Sequence, residues 1–249
     1  MSTSKDARPE ESRAASTDGR HVDGAGARTR KLTIYLAGSA AAVLLVMVAV
    51  SFFTGATQER HERYALPEPY AVQLLDHARA LRILFALDVA FLAVYTGFFA
   101  ALARYLADRG QPFTRLALGF LLATTVLDIV EDHHIVTMLN AAEARMLPTV
   151  AEITAQTVLS SSKFTLSYVS LFLFGLAIPR GTRLGLVLAW FLTAGTLVSA
   201  VIGYALPPGK AAAFDAGRWA GFLVGFALVI AWLWKQPDGE AEHAGRTES

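Results

Sequence analysis

Long apolar segments alternate with short polar ones over most of the chain. The apolar pattern predicts α-helices at about residues 32–55, 80–106, 113–140, 151–178, 184–205 and 217–235. Each segment reaches the roughly 20 residues that an α-helix needs to cross the hydrocarbon core of a bilayer. Glycines and prolines, such as Gly110 and Pro112, interrupt the pattern between the segments. The chain is therefore predicted to be an all-α, polytopic integral membrane protein with a bundle of six transmembrane helices.

The two ends of the chain differ in composition from the predicted helices. Residues 1–31 combine Ser, Gly, Ala and charges of both signs with almost no large apolar residue, which predicts a disordered tail. Residues 32–235 form the predicted transmembrane domain, and residues 236–249 form a polar C-terminal tail. The segment 56–82 carries charges of alternating sign. We expect it to be a solvated outer loop or, alternatively, a docking surface for a partner.

The distribution of Lys and Arg predicts the orientation of the helices. Cytoplasmic loops of membrane proteins carry an excess of these residues. If the N-terminus is inside, the inner segments hold about twice as many Lys and Arg residues as the outer segments. Both termini are therefore expected in the cytoplasm. The composition, which is rich in Ala and Arg, suits a bacterial cytoplasmic (inner) membrane.

Composition also excludes several classes of function. The chain has no cysteine, which excludes disulfides, thiolate catalysis, Cys-ligated zinc, iron–sulfur clusters and covalent c-type haem. A net charge of +1 gives no electrostatic basis for binding nucleic acid. The sequence contains no P-loop and no signature of a serine hydrolase or zinc protease. We therefore expect no catalytic residues and no resident cofactor, and we leave open a bound cation or transition metal.

The third predicted helix carries a group of acidic residues. Asp128, Glu131 and Asp132 follow i, i+3, i+4 spacing, which places their side chains on one face of the helix. An ionised side chain near the centre of a bilayer costs on the order of 3 kcal/mol. Because that cost is high, ionisable residues inside a membrane indicate a functional site by default.

The fourth predicted helix carries a polar stripe. Its members are three or four residues apart: Glu152, Gln156, Ser160, Lys163, Ser167 and Ser170. Lipid offers no hydrogen-bonding partner to such side chains. The stripe is therefore expected to face another helix or water.

The predicted helix ends place these charges at one depth. With the third and fourth helices antiparallel, Asp128 and Lys163 are level, and the same reasoning for the second and third helices makes Asp88 level with Glu131. Four carboxylates then face one ammonium, so most of them need a proton, a cation or water. We therefore predict proton- or cation-linked transport, with Lys163 as the counter-charge. The predicted binding residues are Asp88, Asp128, Glu131, Asp132 and Lys163.

Two other functions fit the same residues. In a structural or accessory subunit, buried ion pairs only hold helices together. In a metal-dependent membrane enzyme, Glu131 and His134 form a Glu-x-x-His pair on one helix face, with Asp88 and Asp128 as further ligands.

Small residues in the last two helices predict close packing. They recur every four residues: Gly195, Ser199, Gly203, Gly221 and Gly225. This spacing lets helix backbones approach each other, either within the chain or between copies of it. The predicted partners are the lipid bilayer and, as an open alternative, a second copy or another subunit of a membrane complex.

Overall fold

A computed structural model describes the backbone of residues 10–206 and 211–236 and the side chains of residues 26–206 and 214–236. Over these residues the chain is helical and contains no strand, so the predicted all-α fold is confirmed. The α-helices are α1 (Glu10–Thr54), α2 (Pro67–Asp76), α3 (Ala78–Ala107), α4 (Thr114–Glu143), α5 (Val150–Ala177), α6 (Arg183–Trp190), α7 (Thr196–Ala205) and α8 (Ala211–Trp234). A 3₁₀ turn (Gln58–Arg60) follows α1, and a π-helical segment (Phe191–Gly195) joins α6 to α7.

The predicted tails lie partly outside the described residues. Residues 1–9 and 237–249 are outside them, and the backbone of residues 10–31 belongs to α1. Ala, Arg and Glu, which are frequent in this stretch, favour helix. Extension of an existing helix also avoids the cost of nucleating a new one.

Five helical segments are long and apolar enough to cross a membrane. They are Gly26–Thr54, Ala78–Ala107, Val150–Ala177, Arg183–Ala205 and Phe214–Trp234. They correspond to five of the six predicted spans. The remaining one, α4, has the necessary length of 30 residues, but it is not one of the five. Its acidic side chains account for the difference, because each stretch of span length in α4 contains at least three charged residues.

The helices that carry the predicted site residues are neighbours. α3 packs against α1 and α4, α4 packs against α5, and α8 packs against α1. Aromatic rings fill the space between α3, α5 and α8, and Phe99 lies 4.6 Å from Phe98 and 5.0 Å from Phe174 between ring centroids. Phe98 in turn contacts Phe226 of α8 at 5.4 Å. Ring contacts of this kind hold the helices at a fixed spacing.

The connection between α1 and α2, residues 55–66, folds back into the interior of the helical bundle. We call it the inner loop, where "inner" refers to the interior of the bundle and not to the cytoplasmic side of the membrane. Gly55 ends α1 with a φ of +71°, which favours glycine and turns the chain inward. Gln58, Glu59 and His61 are then only 9%, 6% and 2% exposed. The prediction of a solvated loop is wrong for this part, because its polar groups find partners on α3, α5 and α8.

Thr149 and Glu152 begin α5. The Thr149 hydroxyl accepts a bond from the Glu152 backbone N–H, and Glu152 Oε2 accepts one from the Thr149 N–H at 2.7 Å. This reciprocal capping satisfies two backbone donors that a helix start leaves without partners. Glu152 is exposed and serves the helix end, so it does not share the buried environment of the rest of the predicted polar stripe.

The small residues of the last two predicted helices differ in their contacts within the chain. A Cβ atom at Gly225 would lie 3.4 Å from the Phe191 ring, and one at Gly203 would meet the Phe214 ring at 2.9 Å. At Gly217 and Gly221, however, nothing lies within 4 Å of such an atom. Part of the pattern therefore borders open space.

Candidate functional site

Lys163 of α5 is surrounded by acidic side chains. Its Nζ lies 2.8 Å from Asp128 Oδ1 and 3.4 Å from Glu62 Oε1, and it also contacts Glu131 Oε2. Lys163 is only 8% exposed. The contact with Asp128 agrees with the depth estimate from the sequence. We call these four residues the Lys163 cluster.

A second acidic group lies beside this cluster. Carboxylate oxygens of Asp88, Asp128 and Asp132 all lie within 4.8 Å of one another, and we call these residues the aspartate triad. Asp88 and Asp132 are close enough for a hydrogen bond between their side chains, which requires a proton because ionised carboxylates only accept. Asp88 is 7% and Asp132 is 6% exposed, so both side chains are buried.

A neutral side chain makes a weak contact with the Asp88–Asp132 pair. Gln58 of the inner loop donates from Nε2 to Asp88 Oδ2 at 3.4 Å. Among the described residues, no N–H or hydroxyl group donates to Asp132 Oδ2. A buried carboxylate oxygen without a donor loses several kcal/mol of hydration unless a proton or a cation replaces the water.

Glu131 is held by α5. Ser160 Oγ and Gln156 Nε2 both donate to Glu131 Oε1, the latter at 2.9 Å. The Gln156 side chain also accepts a bond from His134, with Nδ1 and Oε1 2.9 Å apart. Gln156 therefore links Glu131 to His134. These two residues do not form a group of converging ligand atoms in the described part of the chain, whereas the aspartate triad does.

The rest of the polar stripe on α5 is buried against other helices. Gln156, Ser160, Ser167 and Ser170 are each 7% exposed or less. Ser170 donates to the Ala117 carbonyl of α4 at 2.8 Å, and Ser167 makes a side-chain bond with Tyr95 of α3. The stripe thus faces α3 and α4.

The sequence did not identify several charged residues of this centre. Arg218 of α8 lies 3.3 Å from Glu62 Oε2 and 3.1 Å from Asp215 Oδ1, and Arg63 contacts both oxygens of Asp215 at 2.7 and 2.8 Å. Trp219 donates from Nε1 to Glu59 Oε1. An arginine inside an otherwise apolar segment was the available signal for Arg218. The loop acids carried no such signal, because their contacts depend on how the inner loop folds.

The inner-loop glutamates differ in their electrostatic surroundings. Burial raises the pKa of Glu59, and the neighbouring Glu62 raises it further. Burial also opposes ionisation of Glu62, but Lys163 and Arg218 outweigh it and lower the pKa of Glu62. Glu62 is therefore a firmly ionised partner that belongs to the Lys163 cluster.

His61 is a buried, neutral member of the inner loop. Burial, with Arg60 and His77 nearby, lowers the pKa of His61 to about 4. Its ring lies edge-on to Tyr70 at 5.5 Å, and the Tyr70 hydroxyl donates to the His61 carbonyl at 3.0 Å. The inner loop is thus anchored on α2 with His61 in its neutral form.

A cavity of about 100 Å³ lies at the centre of these groups. Its charged lining consists of Glu59, Glu62, Asp88, Asp128, Lys163 and Arg218. Acids outnumber bases, and the two bases already contact carboxylates. The cavity therefore has an electrostatic preference for an additional positive charge.

No family model, curated protein or solved structure matches this chain. The acidic centre is therefore interpreted from its own geometry and charge.

Proposed function

We propose that α4 is a sixth transmembrane helix. At 1.5 Å per residue, its 30 residues extend about 45 Å, which exceeds the hydrocarbon thickness of a bilayer. One face is apolar and open to the surroundings, with Val126 59% and Val130 47% exposed. The opposite face holds Glu131 and Asp132 in the protein interior. This arrangement keeps the charges of α4 away from lipid.

Five further segments of span length support a polytopic membrane protein. The bias of Lys and Arg supports an orientation with both termini in the cytoplasm. We propose that the membrane is the cytoplasmic membrane of a bacterium, in agreement with the composition of the chain.

The proposed function is proton- or cation-linked transport, with the aspartate triad as the binding site. The observation that carries it is the convergence of Asp88, Asp128 and Asp132 within 4.8 Å, with Lys163 reaching only Asp128. Two carboxyl groups of the triad therefore need positive charge that the described side chains do not supply. A group that must gain a proton or cation to remain buried is suited to bind and release one.

The ligand atoms restrict the cation. The triad offers only carboxylate oxygen, and Gln58 presents its Nε2 to Asp88 as a hydrogen-bond donor. Oxygen ligands favour protons and hard cations over soft metals. A single proton shared by Asp88 and Asp132 would let the two carboxyl groups form a hydrogen bond in their observed positions.

Flux across a membrane tests this proposal. The full chain would be reconstituted into liposomes that contain a pH-sensitive dye, and flux would be followed under an imposed potential with protons, Na⁺ or K⁺ as the driven ion. Asp132→Asn is expected to lower the flux by at least about tenfold, because the amide cannot exchange a proton. Glu143→Gln removes an exposed acid from the same helix and should retain the flux of the wild type. Equal flux in both variants, or none in the wild type, would contradict the proposal.

A structural or accessory role is the second candidate, and the Lys163 cluster favours it. Lys163 joins α5 to Asp128 and Glu131 of α4 and to Glu62 of the inner loop. If the whole centre serves only packing, Asp132→Asn changes stability but no ion-dependent property. The flux assay distinguishes the two functions, because only transport requires an exchangeable group.

A further inference from the structure

A second cavity adjoins the acidic one. It has a volume of about 290 Å³ and lies between α3, α5, the π-helical segment, α7 and α8. Six phenylalanine rings line it: Phe98, Phe99, Phe164, Phe191, Phe222 and Phe226. The two cavities share four lining residues: Phe164, Ser167, Arg218 and Phe222. They therefore adjoin along these side chains, and we call the acidic cavity the charged end and the second cavity the aromatic end.

The backbone creates the space at the aromatic end. Gly217 and Gly221 both line the cavity, and side chains there would project into it without meeting another atom within 4 Å. Opposite them, the π-helical segment Phe191–Gly195 widens the helix, a feature that often accompanies functional sites. The cavity thus results from two local departures from close helix packing.

The charged end calls for a cation. Asp88 and Asp128 line it, and the carboxyl of Asp132 lies within 4.8 Å of both. Asp132 is 6% exposed, and its Oδ2 has no donor among the described residues. An anionic ligand would find no free positive partner, because Arg218 is already paired with Glu62 and Asp215.

We propose that the two adjoining cavities open to each other and together bind an amphiphilic organic cation, with its charge at Asp88 and Asp128 and its apolar body beside Gly221. The positive charge assigned to the ligand rests on the proposed function. The further inference is that the cation is organic and amphiphilic. Aromatic faces also attract cations, so the phenylalanine lining is compatible with a positive ligand along its whole path. The aromatic cavity alone approaches the size of small-molecule sites, which start near 300 Å³.

Binding of a lipophilic cation tests this inference. The purified full chain in a neutral detergent would be titrated with radiolabelled (4-phenylbutyl)trimethylammonium, and 4-phenylbutanesulfonate would serve as an anion of similar shape. Saturable binding of the cation and no displacement by the anion are expected. Asp88→Asn and Gly221→Leu are each expected to weaken binding by at least about tenfold, through lost charge and lost space respectively.

A glycine on another helix provides the matched control. Gly119→Leu adds the same side chain at an exposed position of α4, where nothing lies within 4 Å, and should leave binding unchanged. Gly217→Leu fills the same cavity and replaces Gly221→Leu if that variant does not fold. Equal binding of the anion, or no effect of filling the cavity, would overturn the inference and indicate a cleft for lipid chains.

The outcome is separable from that of the flux assay. Flux that depends on Asp132, without binding of (4-phenylbutyl)trimethylammonium, would retain the proposed function and reject the organic-cation site. Binding that depends on Asp88 and Gly221, with flux of small ions that ignores Asp132→Asn, would retain the site and reject small-ion transport.

Discussion

Lys163 and Asp132 are both buried in the acidic centre, yet their surroundings differ in charge. Lys163 contacts Glu62, Asp128 and Glu131, and Arg218 supplies further positive charge to Glu62. Asp132 faces another acid and has an oxygen without a donor in the described residues. Charge at Lys163 is therefore compensated within the protein. Asp132 has no such partner among the described residues, which is why we propose an exchangeable proton or cation there.

The inner loop connects the two regions. Gln58 donates to Asp88, while Glu62, four residues later, contacts Lys163. His61 lies between them and is 2% exposed. A change that releases this loop would disturb both regions, whereas a change within one of them would show whether they act separately.

The largest effect is expected from Lys163→Met. It leaves three carboxylates in a buried site without their ammonium, which typically costs about 3–5 kcal/mol. The free energy of unfolding in detergent would be measured by chemical denaturation. Lys235→Met, which changes an exposed lysine after α8, is the matched control and should cost little. Similar losses in both variants would show that the Lys163 cluster contributes no ion pairing.

A double variant sharpens the same comparison. If Asp128 were the only partner, adding Asp128→Asn to Lys163→Met would restore most of the lost stability. Glu62 and Glu131 also contact Lys163, so only part should return. Full recovery of stability would show that Asp128 is the one partner of Lys163 that contributes to stability in the cluster.

Acidification should weaken the inner loop. His61 has a pKa lowered from 6.5 to about 4, so between these pH values the unfolded state binds a proton that the folded state excludes. The free energy of unfolding should therefore fall as the pH decreases, by up to about 3 kcal/mol from this residue. The measurement is the stability difference between wild type and His61→Gln from pH 7 to pH 4. That difference should shrink with acid, whereas the difference for the exposed His133→Gln should not follow the same course. A constant difference for His61→Gln would contradict this assignment.

A smaller loss of stability is expected when a hydrogen bond that α5 donates to Glu131 is removed. Ser160→Ala removes a buried donor to a charged acceptor and should cost about 2 kcal/mol, because Gln156 alone then remains on that oxygen. Ser161 provides the matched control, since it is exposed and bonds only to the backbone of Thr157. Denaturation of Ser160→Ala and Ser161→Ala would measure the contrast. Equal stabilities would show that the Ser160 bond contributes nothing.

The sequence predicted those residues of the acidic centre whose positions follow from helix periodicity. The spacing of Asp128, Glu131 and Asp132 and the helix ends placed them level with Lys163 and Asp88, and the structure brings these residues together. The depth estimate matched Asp88 with Glu131, whereas the acidic neighbours of Asp88 are Asp128 and Asp132. A difference of one residue is within the uncertainty of predicted helix ends.

The rest depends on contacts that periodicity does not encode. Glu62 and Arg218 are 156 positions apart and meet only because the inner loop turns inward. Local sequence assigned that loop to solvent because its charges alternate. Similarly, the spacing of Gly217 and Gly221 does not distinguish a glycine that admits a neighbouring helix from one that borders a cavity.

The most direct test of the difference between Lys163 and Asp132 is an infrared difference titration of the full chain, which detects protonated carboxyl groups. Wild type should lose a protonated-carboxyl signal on a rise in pH or on addition of a bound cation. Asp132→Asn should lack that change, and Glu143→Gln should retain it. Persistence of the same signal in Asp132→Asn, or its absence from wild type, would contradict an exchangeable charge at the Asp88–Asp132 pair.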